Sequence, residues 1–257
     1  MQVDVRGKVI VVTGAARGLG AVLADALVRE GARVAVLTRS RDRSEQIAHD
    51  IAARHPDQAS PLPLTADVAD EAEVMAAARA VDERWNRVDA LINNAAWIPP
   101  HRGVLETSVV DLRRVLDSNF VGCVLTTKHF APLMIRGGGG RIVYISSIIG
   151  LQANAGQSAY GASKAAVNVL NEVVHRELGD KGIRTVALAP GLTDTPGMRA
   201  SLTADRIAAV AATHPDGRLG QPDIVAMVRF LCSDEARHLS GVFVPMRPSA
   251  LARPLVT

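Results

Sequence analysis

The chain has 257 residues, of which 48% are hydrophobic, 21% are charged and only 3% are aromatic. This composition is that of a globular protein large enough to bury a sizeable core, filled by Ala, Val, Leu and Ile. The formal net charge is +3, but the arginines are scattered and not clustered with aromatic residues, so we expect no nucleic-acid partner.

Short runs of Val, Ile and Leu alternate with longer Ala-rich amphipathic segments along the whole chain. The runs predict strands near 8–12, 33–37, 61–64, 89–92, 141–145, 183–188 and 241–244. The segments predict helices near 18–30, 41–54, 70–85, 108–135, 158–178 and 222–232. Strands that are apolar throughout are buried on both faces. The sequence therefore predicts one doubly wound α/β domain over 1–257, with a seven-stranded parallel sheet and helices on both faces.

The Thr-, Pro- and Ala-rich stretch at 192–221 interrupts this alternation before the last strand. An insertion beside the carboxyl edge of a parallel sheet is well placed to cover a substrate. We therefore expect 192–221 to form a substrate lid.

The cysteines and the amino terminus indicate an ordinary intracellular protein. Cys123 and Cys232 lie in apolar helical patterns without metal-ligand spacing, so we expect buried free thiols and no metal site, with a disulfide as the alternative. The chain shows no signal sequence and no apolar run near the roughly 18 residues that cross a bilayer. We expect a cytoplasmic location and no membrane partner.

A glycine-rich turn, TGAARGLG at 13–20, follows the first strand and opens the first helix. Gly14, Gly18 and Gly20 let the backbone turn sharply and approach a pyrophosphate, whose charge the amino end of a helix favours. The spacing differs from the usual G-x-G-x-x-G, and a tight connection without a ligand stays an alternative. Its place after the first parallel strand favours a nucleotide-binding turn.

Tyr160 and Lys164 stand four residues apart in SAYGASKAAVNVL at 158–170, and so share one face of a helix. Free tyrosine has a pKa near 10, and a neighbouring ammonium stabilises the phenolate. We therefore expect Lys164 to lower the pKa of Tyr160 into a range useful for acid/base chemistry. Taken alone, such a pair is more often a packed tyrosine and a lysine that reaches solvent.

With the glycine turn, five further motifs resemble the classical short-chain dehydrogenases/reductases in their order and spacing. These are Asp67–Val68, the NNAA stretch at 93–96, Asn119, the set of Ser147, Tyr160 and Lys164, and PGLTDT at 190–195. Nearly the whole chain is covered, and Ala96 replaces the usual glycine of the NNAG motif. Together the motifs are highly specific, although each one alone is not.

The resemblance implies that Asn119, Ser147, Tyr160 and Lys164 form a catalytic set. Tyr160 would donate a proton to a carbonyl oxygen as hydride arrives from the nicotinamide, and Ser147 would polarise the same oxygen. Lys164 would also bind ribose hydroxyls, and Asn119 would hold a water that links Lys164 to solvent. The expected cofactor contacts are Gly14, Arg17, Gly18, Leu19, Gly20, Thr38, Arg39, Asp67, Val68, Asn93, Ala95, Tyr160, Lys164, Pro190, Gly191, Thr193 and Thr195.

The end of the second strand distinguishes NAD from NADP. A dinucleotide fold selective for NAD places a carboxylate there for the ribose 2′-hydroxyl. This chain has Thr38 at the position of the family's aspartate, Arg39 directly after it, and Arg17 in the glycine turn. Two guanidinium groups without an acid fit a 2′-phosphate, so we expect NADP(H), with solvated loop arginines as the alternative.

The sequence therefore predicts an NADP(H)-dependent enzyme that reduces a ketone or aldehyde, or catalyses the reverse reaction. The alternative is a non-catalytic NADP(H)-sensing protein, for which loss of Tyr160 or Lys164 is expected, and both are present.

The loop 96–106, the lid and a tail at about 245–257 are expected to form the substrate walls, with Trp97, Ile98 and His101 as candidates. The tail lacks the family's usual V-D-G-G. The apolar outer faces of the two longest predicted helices favour a homo-oligomer, a dimer or a tetramer.

Overall fold

The computed structural model describes residues 3–191, 193, 203–212 and 222–246. Its strands are β1 Val9–Thr13, β2 Arg33–Thr38, β3 Leu62–Thr65, β4 Ala90–Asn93, β5 Gly140–Ile145, β6 Ile183–Pro190 and β7 Val242–Met246. Its helices are α1 Gly18–Arg29, α2 Arg41–Arg54, α3 Glu71–Trp85, α4 Val109–Leu116, α5 Gly122–Arg136, α6 Ser158–Leu178, α7 Ala204–Ala211 and α8 Pro222–Cys232. Short 3-10 turns lie at Val104–Glu106, Ile148–Gly150 and Asp234–Ala236.

The strands form one seven-stranded sheet in the order β3-β2-β1-β4-β5-β6-β7, and every adjacent pair is parallel. The order reverses between β1 and β4, where the chain crosses from one half of the sheet to the other. In open α/β sheets, ligands bind at the carboxyl ends of the strands beside this reversal. The predicted doubly wound parallel architecture is confirmed.

Hydrophobic clusters cover both faces of the sheet. On one face, Leu23 and Leu27 of α1 pack with Val228 of α8. On the other, Phe130 of α5 packs with Val167 of α6, alongside residues of α3. The central strands are apolar throughout because both of their faces are buried, as the sequence pattern indicated.

The predicted helix at 108–135 is interrupted by a π-helical segment, Asp117–Val121, between α4 and α5. A π-turn accommodates one extra residue and occurs frequently at functional sites. Asn119 lies in this segment and is fully buried. The hydrophobic period alone gave no sign of the interruption, because the chain remains helical on both sides.

The predicted lid is described only at Thr193 and 203–212, where Ala204–Ala211 forms a helix that the sequence pattern did not predict. The other lid residues, and the tail from 247 to 257, lie outside the described residues. Cys123 and Cys232 are both free and buried, as expected. Within the described ranges, no helix is long and apolar enough to cross a membrane.

Candidate active site

The glycine turn between β1 and α1 is closely packed against the end of β4. Gly14 and Gly18 have φ of +66° and +58°, a region that side chains disfavour. A Cβ added to Gly20 would lie 2.4 Å from the carbonyl oxygen of Gly14 and 2.5 Å from Nδ2 of Asn94. No side chain larger than hydrogen fits at Gly20 without displacing the turn.

Asn94 and Thr13 hold this turn at the reversal of the strand order. The side-chain amide of Asn94 donates to the carbonyl oxygens of Thr13 and Gly14, at 3.0 and 3.3 Å. The hydroxyl of Thr13 accepts the backbone N–H groups of Asn94 and Ala95, both at 3.0 Å. Sequence reasoning named the neighbouring Asn93 and missed this role for Asn94, although Asn94 belongs to the same motif.

The amino end of α1 fits a bound pyrophosphate. Arg17, at the N-cap, makes no side-chain capping hydrogen bond, and the first turn contains no acidic residue. The first backbone N–H groups of the helix are therefore left for an external acceptor, and the helix dipole favours an anion there. Leu19 packs against the core beneath this turn.

The end of β2 presents arginines without a carboxylate. Thr38 is buried, and its hydroxyl donates to the carbonyl oxygen of Ser40 at 2.8 Å, so its side chain turns back on the loop. Arg17 and Arg39 are both exposed. In the described part of the chain, neither arginine forms an ion pair. Both guanidinium groups remain available to an anion.

Asp67 and Val68 follow β3 at the same edge of the sheet. The carboxylate of Asp67 accepts the backbone N–H of Ala69 at 3.0 Å, which closes the turn. Val68 is buried and packs against Gly122, where an added Cβ would lie 2.6 Å from its methyl group. This contact brings the loop after β3 against the start of α5.

Ser147, Tyr160 and Lys164 converge where β5 meets α6. Ser147 follows the end of β5, and Tyr160 and Lys164 lie in the first two turns of α6. Lys164 is buried, with its ammonium donating to the carbonyl oxygen of Ile145 at 2.8 Å. The same ammonium lies 5.7 Å from the centroid of the Tyr160 ring. The structure thus brings together the three residues that the sequence placed thirteen and seventeen positions apart.

The expectation that Lys164 lowers the pKa of Tyr160 is wrong for this structure. Burial raises the pKa of the Tyr160 phenol, and an interaction with the Ser147 side chain opposes that rise in part. Burial also lowers the pKa of Lys164. Removing both groups from water disfavours their charged forms, and the group that offsets the burial of the phenol is Ser147 and not Lys164.

Asn119 binds the loop after β4 rather than pointing freely into the site. Its Oδ1 accepts the backbone N–H of Trp97 at 2.7 Å, and its Nδ2 donates to the Trp97 carbonyl oxygen at 3.1 Å. The same Nδ2 lies 3.1 Å from the hydroxyl of Ser163 on α6. The π segment thereby connects the loop after β4 to the helix that carries Tyr160. The water proposed for Asn119 stays a prediction.

Those of the other predicted cofactor residues that the structure describes lie at the same edge of the sheet. Asn93 is buried and accepts the Thr126 hydroxyl at 2.7 Å, while its Nδ2 has no hydrogen-bond partner among the described residues. Pro190 ends β6, and the N–H of Gly191 donates to the carbonyl oxygen of Met246 at 2.7 Å. The hydroxyl of Thr193 lies 3.3 Å from the Gly191 carbonyl oxygen. Thr195 lies outside the described residues.

The loop 96–106 is attached to the segment before α6. His101 Nε2 lies 2.7 Å from the side-chain nitrogen of Gln157, and the N–H of Arg102 donates to the Gly156 carbonyl oxygen at 3.0 Å. The ring of Trp97 packs under the guanidinium of Arg114, 4.4 Å from its centroid. Ile98 is exposed. Two loops beside Tyr160 therefore form one connected wall.

Comparisons with known proteins agree with this arrangement. The family model for short chain dehydrogenase matches residues 8–206. The chain is 37% identical to cis-4-hydroxycyclohexanecarboxylate dehydrogenase of Sinomonas cyclohexanicum, over 92% of this chain and 94% of that protein. It is 33% identical to 2,5-dichloro-2,5-cyclohexadiene-1,4-diol dehydrogenase of Sphingobium indicum, over 93% and 94% of the two chains.

A solved structure shares the fold over nearly the whole length. It is a 7α-hydroxysteroid dehydrogenase in complex with NADH and 7-oxo glycochenodeoxycholic acid. The TM-score is 0.87 at 29% identity, covering 96% of this chain and 95% of that chain. The fold, the glycine turn and the match to the family model agree. The chain therefore belongs to the short-chain dehydrogenase/reductase family of oxidoreductases.

Proposed function

We propose that this protein is an NADP(H)-dependent oxidoreductase that interconverts a ketone or aldehyde and the corresponding alcohol, with Tyr160 as general acid/base. The observation that carries the proposal is the convergence of Ser147, Tyr160 and Lys164 at the carboxyl edge of the sheet. The uncapped amino end of α1 lies at the same edge, which supports a pyrophosphate site and a proton donor along one edge of the sheet.

The cofactor would lie along the carboxyl ends of the strands. Its pyrophosphate would be held at Gly14, Gly18 and Gly20, with Leu19 beneath, and its adenine beside Asp67 and Val68. Asn93, Ala95, Pro190, Gly191, Thr193 and Thr195 are the proposed contacts nearer the nicotinamide. When bound, the nicotinamide supplies or accepts the hydride.

The choice of NADP(H) is supported by the chain's own charges. Arg17 and Arg39 are exposed, and no carboxylate stands at Thr38 to repel a 2′-phosphate. A phosphate dianion gains charge-assisted hydrogen bonds from such guanidinium groups. The related hydroxysteroid dehydrogenase was solved with NADH, so the proposal depends on the residues at the end of β2 and not on that relative.

The proton chemistry follows from the environment of Tyr160. Burial raises the pKa of the Tyr160 phenol, so the group is in its protonated, donor form at neutral pH, although the same shift makes it a weaker acid. Ser147, which interacts with the phenol, would hydrogen-bond the same oxygen. Lys164 is buried behind them, and its ammonium would bind the ribose and stabilise phenolate after proton transfer. Asn119 fixes the adjacent loop.

The substrate we propose is a secondary alcohol or ketone carried on a ring. Two of the curated relatives are named for a hydroxycyclohexane carboxylate and a cyclohexadiene diol, and the hydroxysteroid dehydrogenase was solved with a 7-oxo steroid. The connected wall made by loop 96–106 beside Tyr160 would enclose such a ring. We further propose a homo-oligomer, because Val169 and Val173 on α6 and Val109 and Val110 on α4 are exposed.

The first experiment is a titration with NADPH and, separately, with NADH, followed by nicotinamide fluorescence. Turnover is then measured with cis-4-hydroxycyclohexanecarboxylate and NADP⁺, and with the corresponding ketone and NADPH. Tight NADPH binding with reduction of the ketone supports the proposal. Preference for NADH would contradict the assignment of Arg17 and Arg39, and binding of neither cofactor would overturn the enzymatic function.

A further inference from the structure

The turn that carries Ser147 is bound on both sides by one side chain of α6. Ser146, directly before it, donates its hydroxyl to Oδ1 of Asn168 at 2.5 Å. Nδ2 of the same amide donates to the carbonyl oxygen of Gly150 at 3.3 Å. The amide oxygen of Asn168 therefore binds the residue before Ser147, and its amide nitrogen binds a residue after Ser147.

Steric contact adds to these hydrogen bonds. A Cβ at Gly150 would lie 2.8 Å from the carbonyl carbon of Lys164 and 2.9 Å from the Lys164 Cβ, so the turn rests directly on the helix. The ammonium of Lys164 holds the carbonyl oxygen of Ile145, just before the turn. Displacement of the turn along α6 would break several contacts together.

Asn168 shares a helical face with the proposed acid/base residues. Tyr160, Lys164 and Asn168 are spaced by four residues, so their side chains follow one another along α6. Ser146 is buried, and without Asn168 its hydroxyl would keep only the 3.4 Å contact to the Lys164 carbonyl oxygen. Asn168 has no direct part in the proposed reaction. Its hydrogen bonds to the turn that carries Ser147 therefore indicate an indirect role.

We propose that Asn168 is a positioning residue that holds Ser147 against Tyr160 in the geometry that proton transfer requires. This inference rests on the proposed function, because it assumes that Ser147 acts in the reaction. The Ser147 hydroxyl also accepts the N–H of Ile149 at 3.3 Å, so its direction depends on the turn that Asn168 fixes. A misplacement of about 1 Å can lower a rate about 100-fold.

The test is a double-mutant cycle between Asn168→Leu, which removes both hydrogen bonds at similar side-chain size, and Ser147→Ala. We expect Asn168→Leu to lower kcat roughly 10- to 100-fold for the cyclohexane ketone, with the Kd for NADPH unchanged. On the Ser147→Ala background, it should lower kcat by less than about 3-fold, because the group that it positions is gone.

The cycle separates two kinds of failure. Losses that multiply in the double variant would overturn the positioning role while leaving Ser147 catalytic. Full turnover in Ser147→Ala and in Tyr160→Phe would instead overturn the proposed function itself.

Two further variants distinguish positioning from general stability. Asn168→Asp keeps the acceptor for Ser146 and, as a carboxylate, loses the donor to Gly150, so we expect kcat between those of the wild type and Asn168→Leu. Asn171→Leu is the matched control, since Asn171 is a buried asparagine of α6 whose amide donates to the Val242 carbonyl oxygen at 3.2 Å. It should lower the Tm and leave kcat unchanged. An equal kcat loss in Asn171→Leu would overturn the inference.

The position of Ser147 relative to Tyr160 can also be tested without substrate, by NMR. The chain has two tyrosines, so the ¹³Cζ resonances of Tyr160 and Tyr144 can be assigned with a Tyr144→Phe variant. We expect Asn168→Leu and Ser147→Ala to move the Tyr160 resonance in the same direction, and the double variant to move it no further. An unchanged resonance in Asn168→Leu would show that Asn168 does not position Ser147.

Discussion

The region around the proposed acid/base residue Tyr160 and the region of Arg17 and Arg39 are built in opposite ways. Where β5 meets α6, Lys164 and Ser146 are buried and joined by hydrogen bonds between the strand end and the helix. In the turn after β1 and just beyond β2, Arg17 and Arg39 are exposed and, within the described residues, form no ion pairs. The first region depends on geometry and the second on charge. Substitutions should therefore reduce the rate at the first and change cofactor selectivity at the second.

The largest effect is expected from removing the phenol hydroxyl. Tyr160→Phe should lower kcat by roughly 10²- to 10⁴-fold, the contribution typical of a general acid, and leave NADPH binding nearly unchanged. Steady-state kinetics and fluorescence titration measure the two quantities. Tyr144→Phe is the control, because that hydroxyl binds Thr127 at 2.8 Å in the core. Biological activity that survived Tyr160→Phe would favour the sensing alternative.

At the other end, reversing one charge should change selectivity. Arg39→Asp should weaken NADPH binding roughly 10- to 100-fold, because a charge-assisted hydrogen bond is lost and a repulsive charge replaces it. NADH binding should stay the same or improve. Arg33→Asp, an exposed arginine at the opposite end of β2, is the matched control. Undiminished NADPH affinity in Arg39→Asp would show that the phosphate binds elsewhere.

The glycine turn depends both on exact geometry and on the binding of a charged group. Gly20→Ala should cost about 1–3 kcal/mol of unfolding free energy, because its Cβ would clash with the Gly14 carbonyl oxygen. The substitution should also weaken the binding of both NADPH and NADH, because both cofactors would use the same pyrophosphate site. Denaturant unfolding and titration provide the measurements. Gly103→Ala, where an added Cβ meets nothing within 4 Å, should change neither.

The smallest effect concerns a surface ion pair far from the crevice. Lys8 donates to Asp234 at 2.6 Å and lowers the pKa of that carboxyl below 3.8. Because the folded-state pKa is the lower one, this stabilisation is complete above about pH 4 and is lost as pH falls through the folded value. Asp234→Asn should cost less than about 1 kcal/mol at pH 7, since the Asp234 carboxylate is largely exposed. Urea unfolding should show the difference between the two proteins shrinking as the pH is lowered below about 4.

The fold was predictable because its signals are local and repeated. Buried strands such as β1 and β5 appear as continuous apolar runs, and the helices between them follow their amphipathic period. The π segment was not predictable in this way. One extra residue at Asp117–Val121 shifts the helix without changing its composition, and the shifted segment carries Asn119 into hydrogen bonds with Trp97 and Ser163 that only the fold reveals.

Part of the candidate site was also accessible from the sequence. The motif residues Ser147, Tyr160 and Lys164 were identified by order and spacing, and the structure places them at one junction. The roles of Asn94, which belongs to the NNAA motif, and of Asn168, which belongs to none of the motifs, were missed because both depend on contacts distant in the sequence. Their partners lie 81 and 22 positions away in the chain, so only the folded structure reveals their hydrogen bonds.

By itself, the sequence determined the alternating α/β architecture, the glycine turn and the absence of an acid at Thr38, since each depends on residue type at a fixed position. Only the tertiary structure decided the direction in which the pKa of Tyr160 shifts. The sequence supplied a nearby ammonium, but burial, which depends on every element packed around the phenol, raises its pKa instead. Desolvation is a property of the whole fold, and this is why a spacing of four residues predicted the neighbour correctly and the direction of the shift wrongly.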